Sequence, residues 1–185
     1  MTVFENGVKT KGQIMVVISG NRPFLFMKEQ IMRYAGYDGR LNNLDSDIPA
    51  SLMPVISDNW DNYFTWNGIG EMPRDEKLKL HEIATKAKYK GYLLRFWATP
   101  NQSKEQRTAV WTVLINAGVG MIGMENRGNI LGDYRLHFPD QMGIVGDAEP
   151  IKKRNDSMQR SILFLRIIDL LSGNTFLNAL NLPMP

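Results

Sequence analysis

One stretch, residues 92–126, constrains the fold of this chain more than any other. It reads YLLRFWATPNQSKEQRTAVWTVLINAGVGMIGMEN. An apolar run over 93–97 is followed by an amphipathic segment over 103–117, and Gly118 separates that segment from a second apolar run over 119–124. This order predicts a strand, a helix and a second strand. The spacing is typical of a βαβ unit, whose two strands are parallel with the helix covering one face.

Earlier parts of the chain repeat the pattern of strand, polar loop and helix. A strand is predicted over 14–19 (IMVVIS), a continuous apolar run of the kind buried on both faces of a parallel sheet. A helix is predicted from Pro23 to about residue 34, and a second helix from Pro73 to a terminating glycine at 91. Between these helices, the runs 34–41 and 52–57 form either one interrupted strand or two short strands. Residues 1–13, which are polar and glycine-spaced, carry no predicted element.

Strands that alternate with helices predict an α/β fold, built either as an open doubly wound sheet or as a (β/α) barrel. The periodicity ends near residue 126. We therefore predict a domain over 1–126 and an irregular extension over 127–185 with one helix at about 158–172.

Composition narrows the class of protein. The chain has 185 residues with 22 basic and 19 acidic side chains, so its charge does not indicate a nucleic-acid partner. It has no cysteine, which excludes a disulfide framework, a thiolate metal site and a cysteine nucleophile. No segment is apolar enough over about 18 residues to predict a transmembrane span, and the start is too polar for a secretory signal.

Ligands of both α/β architectures bind at the carboxyl ends of the strands. Polar and aromatic side chains follow each predicted strand, and arginine with asparagine suits an anionic ligand because a guanidinium grips phosphate with two hydrogen bonds. We predict no catalytic residue and no metal ligand in this chain. The side chains at these strand ends include Asn21, Arg40, Asp58, Asn59 and Trp97.

A structural interpretation of the same residues stays open. Arg22 and Arg40 are alternatively surface residues, or ion-paired with Asp38 and Asp58, and Trp97 is alternatively a core residue. The two histidines, His81 and His137, have no carboxylate or serine at triad spacing. The glycines at 118 and 120 precede a strand, whereas a phosphate-binding fingerprint follows one.

Six motifs in order resemble a known family. They are VISGNRP (17–23), YDGR (37–40), PVISDN (54–59), WNG (66–68), RFWATP (95–100) and GVGMI (118–122). The set is similar to the C-terminal half of the phosphatidylinositol phospholipase C-like phosphodiesterases, in the branch of the glycerophosphodiester phosphodiesterases and the "altered inheritance of mitochondria" proteins. It covers roughly residues 14–126.

The resemblance implies the later half of a TIM-type (β/α) barrel that cleaves phosphodiesters by general acid and base catalysis with a histidine pair, often with a divalent metal. The family's catalytic histidines and metal-binding acids lie on earlier strands, which have no counterpart in this chain. The resemblance therefore implies that the chain represents half of an enzyme, or the product of a truncated gene. Under this resemblance the predicted substrate-binding residues are Asn21, Arg40, Asp58, Asn59 and Trp97, which would bind and orient the ligand.

The chain departs from the family at two strand ends. Asn101 stands where members usually have aspartate after the RFWATP motif. The last strand carries Gly-Val-Gly at 118–120 and Gly-Met-Glu-Asn at 123–126, where members have Gly-Val-Asp and Asn-Thr-Asp. Glu125 lies one position from the expected acid.

Two functional hypotheses follow. The first is a phosphoric diester hydrolase of the glycerophosphodiester or phosphoinositide type, with a small phosphodiester or a lipid head group as ligand. The second is a non-catalytic descendant that binds a phosphorylated ligand or a partner protein. Half a barrel would leave an exposed sheet edge, and self-association is one way to cover it.

Overall fold

The structure, a computed structural model, describes residues 1–123 and two strands further along the chain. The helices are α1 (Phe24–Glu29), α2 (Arg74–Tyr89) and α3 (Lys104–Asn116), with single 3-10 turns at Leu41–Asn43 and Trp60–Asn62. The strands are β1 (Val3–Glu5), β2 (Val8–Thr10), β3 (Ile14–Gly20), β4 (Met32–Arg33), β5 (Ala35–Gly39), β6 (Val55–Asn59), β7 (Leu93–Trp97), β8 (Met121–Gly123), β9 (Ile144–Val145) and β10 (Ser161–Ile167).

A curled parallel sheet organises the molecule. Strands β3, β5, β6, β7 and β8 are neighbours in that order, and each pair is parallel. Helices α2 and α3 make the crossovers on either side of β7, as parallel neighbours require. The α/β prediction is therefore confirmed. β10 pairs with β3 along its whole length, and β9 pairs with β8 and β10, so the strand order β10-β3-β5-β6-β7-β8-β9 closes on itself.

Alternate side chains of the strands point to opposite faces of the sheet and form two apolar layers. The helix-facing layer is the larger and centres on Trp60, which is fully buried and packs against Phe64 and Phe96 at ring-centroid distances of 4.3 and 5.7 Å. The concave layer comes from the opposite side chains of the same strands, because successive residues of a strand point to opposite faces. Its buried members are Phe4, Met15, Val17, Val55 and Met121.

The N-terminal residues form a small antiparallel sheet that the sequence did not predict. β1 pairs with β2 on one side and with β4 on the other. Its Phe4 is fully buried in the concave layer, so this sheet covers that layer. Period-two patterning is weak in three-residue strands, and the signal was therefore hidden within a polar segment.

The helix predicted from Pro23 to about residue 34 is wrong beyond Glu29. α1 has only six residues, and the chain continues into β4 and β5. Arg33 explains the change, since its buried guanidinium donates to the carbonyl oxygens of Met27 at 3.0 Å and Ser51 at 2.9 Å. A continued helix could not make both contacts. The runs at 34–41 and 52–57 are two separate strands, β5 and β6, which pair with each other.

The helix predicted at about 158–172 is also wrong over Ser161–Ile167, which form β10. A short apolar run fits a buried strand and a buried helix equally well, so periodicity alone could not decide. β10 also pairs with β3, at a sheet edge that half a barrel would leave exposed. Apart from β9, the rest of the predicted extension, including His137, lies outside the described residues, and so does Glu125.

The two long helices agree with their predictions. α2 runs to Tyr89, and Gly91 follows it with a positive φ of 79°. α3 begins after Ser103, whose hydroxyl accepts from the Gln106 amide at 3.2 Å while the Gln106 side chain accepts from the Ser103 amide at 3.2 Å. This is the capping box that the sequence predicted.

Glu76 in the first turn of α2 gives an expected pH dependence. Its carboxylate accepts from the Thr65 amide at 2.9 Å, the Thr65 hydroxyl at 2.6 Å and the Trp66 amide at 3.1 Å. Burial raises the pKa of Glu76, but these hydrogen bonds and the charge of Lys79 outweigh it and lower the pKa below its usual range. The carboxylate therefore stabilises the fold at neutral pH, and this contribution is lost as the pH falls through the folded-state pKa.

We expect Glu76→Gln to lower the free energy of unfolding by about 1–2 kcal/mol at pH 7, because it weakens hydrogen bonds to a charged acceptor. The difference from the unaltered chain should shrink towards pH 3. Urea unfolding at several pH values measures it, with Glu71→Gln, an exposed position, as the control. A difference that is constant across pH would contradict the assignment.

Candidate functional site

The carboxyl ends of the strands carry a polar layer on the concave face. Ser57 and Asn59 follow Val55 on the concave side of β6, because side chains on one face are two residues apart. Asp38 on β5 meets this layer directly, since it accepts a hydrogen bond from the Ser57 hydroxyl at 2.6 Å. The apolar concave layer thus passes into a polar layer towards the strand ends.

Asp38 is the centre of that layer. Its side chain is 1% exposed, and its Oδ1 accepts from Ser57 while its Oδ2 accepts from the Ser19 hydroxyl at 2.7 Å. Arg40 Nη1 lies 2.9 Å from the same Oδ2 and forms an ion pair with it. The alternative interpretation of Arg40 as an ion-paired residue is therefore confirmed, with Asp38 as its partner. A buried carboxylate needs this charge and these donors.

Arg40 remains partly accessible despite the ion pair. Its side chain is 28% exposed. Within residues 1–123, the hydrogen bonds of its guanidinium all use Nη1, which also reaches the Gly39 carbonyl at 2.9 Å and the Ser57 oxygens at 3.4 Å. An arginine has five N–H donors on three nitrogens. Nε and Nη2 thus bond no residue within 1–123.

A second arginine reaches the same centre from the loop after β3. Arg22 Nη1 donates to the backbone carbonyl of Asp38, and its guanidinium carbon lies 4.9 Å from the centroid of the Tyr37 ring. Its Nε is buried and has no hydrogen-bond partner among the described residues. Arg22 thus pairs with the Asp38 backbone, whereas Asp58, the other partner considered for it, lies elsewhere.

A third arginine, Arg95, was missing from the predicted site. It lies between Leu94 and Phe96, which both pack in the helix-facing layer, so Arg95 points to the concave face. In the sheet it lies opposite Ser57 on one side and Met121 on the other. A charged residue inside an otherwise apolar strand is the signal that could have identified it. Arg40 and Arg95 therefore share the concave face with the buried Asp38, whereas Arg22 lies over Tyr37 and reaches the backbone of Asp38.

Asp58 points to the other face and has a structural role. Its Oδ2 accepts from the Leu41 amide at 3.0 Å and the Tyr63 hydroxyl at 3.1 Å, and its Oδ1 accepts from the Asn59 amide at 2.8 Å. Burial, together with the charge of Asp58 and the hydrogen bond to it, raises the pKa of Tyr63 above its usual range. Tyr63 therefore stays a donor at neutral pH. The carboxylate thus connects the two 3-10 turns.

The remaining predicted residues lie around the polar layer. Asn59 lies next to Trp97 in the sheet register, and its side-chain oxygen accepts from the Asp61 amide at 3.1 Å. Trp97 ends β7 with 36% of its surface exposed. Ala98 follows with a φ of 53°, a conformation that costs a non-glycine residue energy and is common near functional sites. Asn21 lies in the exposed loop after β3.

Within residues 1–123 the carboxylates do not fit a metal ion. Both oxygens of Asp38 and both of Asp58 already accept hydrogen bonds from protein donors. No three acidic or histidine side chains of the described residues come together as a metal site would require. His81 lies within α2. The divalent metal that the resemblance implies thus has no ligand set among the residues that the structure describes.

A groove of about 690 Å3 lies in the helical layer, between α3 and the segment that leads into α2. It runs along α3 and is bordered by Trp66, Met72 and Lys77. It contains none of the arginines of the concave face, so the candidate site is the polar layer. Of the helices that the structure describes, none is long and apolar enough to cross a membrane.

Comparisons of the chain with protein-family models, with curated proteins and with solved structures gave no match. We therefore infer the chemistry of the site from its residues alone. The Arg40 guanidinium and two serine hydroxyls contact a buried aspartate, Arg95 lies on the same face, and an exposed tryptophan follows it two residues later on β7. Such a site can bind a phosphoryl oxygen through charge-assisted hydrogen bonds and hold an organic substituent against the indole ring.

Proposed function

We propose that this protein is a phosphodiester-binding protein of the phospholipase C-like phosphodiesterase type, with its sheet forming part of a TIM-type (β/α) barrel. The ligand is a glycerophosphodiester or a phosphoinositide head group. In this proposal Arg40 and Arg95 hold the phosphoryl oxygens, and Trp97 forms the wall beside the organic substituent. Asn21 and Asn59 complete the rim. The residues of this site bind and orient the ligand.

The observation that carries the proposal is that two arginines, Arg40 and Arg95, share the concave face with one buried aspartate. Asp38 compensates one positive charge, which leaves the layer positive overall. Its hydroxyl and guanidinium partners also hold it in place, so the Arg40 side chain is positioned before a ligand arrives. A prepositioned guanidinium loses less conformational entropy on binding. The six sequence motifs, whose order resembles that of the phosphodiesterases, are the reason for proposing the phosphodiesterase type.

Non-catalytic binding is the second candidate, and the hydrogen bonds of the two aspartates favour it. A general base must be able to reach a proton of the substrate. Both oxygens of Asp38 and of Asp58 are occupied by donors from the protein, so neither carboxylate is placed for that step. Under this candidate the chain binds the same ligand and does not hydrolyse it.

A binding titration tests the site. Among the four tryptophans of the chain, Trp60, Trp66 and Trp111 are buried and Trp97 is exposed, so tryptophan fluorescence should respond to a ligand beside Trp97. Glycerophosphoinositol and glycerophosphocholine are the probes, with inorganic phosphate as competitor. We expect Arg40→Gln and Arg95→Gln each to weaken binding about ten- to hundredfold, as the loss of a charged hydrogen bond predicts.

Arg74→Gln is the matched control, because Arg74 is exposed at the start of α2. Trp97→Phe should abolish the fluorescence change while binding by calorimetry persists. Product formation from the same probes, with and without a divalent cation, separates hydrolase from binder. The absence of binding by the unaltered chain, or equal effects of the Arg40, Arg95 and Arg74 changes, would overturn both candidates.

A further inference from the structure

Ala98 has a backbone conformation that alanine rarely adopts. It lies directly after β7 with a φ of 53°. Among the non-glycine residues that the structure describes, only Asn6 also has a positive φ. Asn6 is explained by its position, because Asn6 and Gly7 join β1 to β2 and a two-residue hairpin turn of this kind needs a positive φ at both positions. Ala98 connects a strand to a helix, and no hairpin turn requires its conformation. Its backbone is therefore strained.

The residues on either side of Ala98 favour an extended backbone. Thr99 is β-branched, and it precedes Pro100, whose ring disfavours a helical conformation of the residue before it. Trp97 is the last residue of β7 and lies opposite Asn59 in the sheet. A single left-handed residue therefore interrupts a segment, 97–99, that would otherwise continue as a strand.

The conformation of Ala98 affects which side chains reach the concave face. Arg95 and Trp97 lie on that face, because they are two residues apart in β7. If Ala98 were extended, the same alternation would bring Thr99 to the concave face, directly beyond Trp97. The left-handed conformation interrupts this alternation, and Trp97 is 36% exposed.

A long hydrogen bond holds the far end of this turn. Arg107 Nη1 donates to the Asn101 carbonyl at 3.5 Å, which is the upper limit for such a bond. The capping box at Ser103 then begins α3. Residues 98–102 thus connect two fixed elements and begin with a strained residue. Strain at a candidate binding site is a feature of segments that have two conformations.

We propose that Ala98 is a hinge that moves Thr99 to the ligand. In the open conformation, which the structure shows, Ala98 is left-handed. In the closed conformation Ala98 is extended, and the Thr99 hydroxyl donates to the ligand beside Trp97. Closing relaxes the backbone of Ala98, so the strain lowers the cost of closing when the ligand binds. The role of Thr99 rests on the proposed function, whereas the hinge itself does not.

Quenching of tryptophan fluorescence by acrylamide tests the hinge without a ligand. The other three tryptophans are buried, so the quenching constant reports mainly on Trp97. Valine tolerates a left-handed backbone less well than alanine, so Ala98→Val should favour the closed conformation and lower the quenching constant about twofold. Ala98→Gly relieves the strain and should not lower it. Asn6→Gly is the matched control, since it changes the other residue with a positive φ, far along the chain from Trp97. Equal constants for folded Ala98→Val and Ala98→Gly, or an equal effect of Asn6→Gly, would overturn the hinge.

A binding titration provides a second measurement, and it uses Ala98→Gly because this substitution relieves the strain. Closing then releases no strain, so Ala98→Gly should bind glycerophosphoinositol about tenfold more weakly than the unaltered chain. Thr99→Val keeps the shape of the side chain without its hydroxyl and should weaken binding about fivefold, whereas Thr99→Ser should not.

The outcomes of the titration separate the hinge from the proposed function. Equal affinities of Ala98→Gly and the unaltered chain would overturn the hinge. Equal affinities of Thr99→Val and Thr99→Ser would overturn the role of the Thr99 hydroxyl. If the unaltered chain does not bind the probe, the proposed function and the role of Thr99 both fail, and the quenching of Ala98→Val still decides the hinge.

Discussion

Replacing Asp38 with asparagine is expected to lower the free energy of unfolding by about 3 kcal/mol, at the lower end of the range for breaking a buried ion pair. The substitution keeps the shape of the side chain and removes its charge. Arg40 then keeps a partly buried charge without its partner, and the new amide nitrogen replaces an acceptor that now binds Ser19, Ser57 or Arg40. Urea unfolding followed by circular dichroism measures the change.

Asp61→Asn is the matched control. Asp61 is exposed, so this substitution should lower the free energy of unfolding by well under 1 kcal/mol. The double variant Asp38→Asn with Arg40→Gln should lose less than the sum of the two single variants, because it removes both charges together. Additive losses, or a loss for Asp38→Asn as small as that of Asp61→Asn, would show that Asp38 does not hold the polar layer together.

The second large effect is expected at Trp60. Replacing it with alanine should cost about 3–5 kcal/mol, because a fully buried aromatic side chain is removed and a cavity remains. The indole also donates from Nε1 to the Trp66 carbonyl at 3.0 Å, and that carbonyl would lose its donor. Phe64 and Phe96 would both lose an aromatic neighbour.

Tyr89→Ala serves as the control, since it removes an exposed aromatic side chain. The loss in the free energy of unfolding for Trp60→Phe should lie between those of Trp60→Ala and Tyr89→Ala, because phenylalanine keeps most of the apolar volume and loses the hydrogen bond. The midpoint and the slope of urea unfolding separate a loss of stability from a change in compactness. A loss for Trp60→Ala that matches Tyr89→Ala would contradict the central place of Trp60 in the helix-facing layer.

Sequence patterns predicted the long elements well and the short ones poorly. α2, α3, β3 and β7 were predictable, because apolar periodicity and capping residues act within one segment. The N-terminal sheet and β4 were not, since strands of two or three residues depend on partners elsewhere in the chain. Arg33 shows the cause: its side chain bonds to Met27 and Ser51, and local propensity does not report such contacts.

The candidate site was predictable in its position and less so in its members. Arg40 and Trp97 were identified because ligands of α/β folds bind where strands end. Asp58 was placed in the same group, but its carboxylate faces the helical side and connects two turns. Arg95 was left out because it precedes the strand end by two residues. Both cases follow from strand parity, which assigns alternate residues to opposite faces.

By itself, the sequence determined that this chain alternates strands with helices and concentrates polar residues after the strands, because apolar periodicity and turn residues are local properties. Only the tertiary structure decided that Asp38 is the buried centre of the site, and that Arg22, Arg40 and Ser57 from three different segments meet at it. It also decided that Ser161–Ile167 form a strand beside β3. The physical reason is that hydrogen bonds and ion pairs between distant segments depend on register and on the face of the sheet, which no single segment specifies.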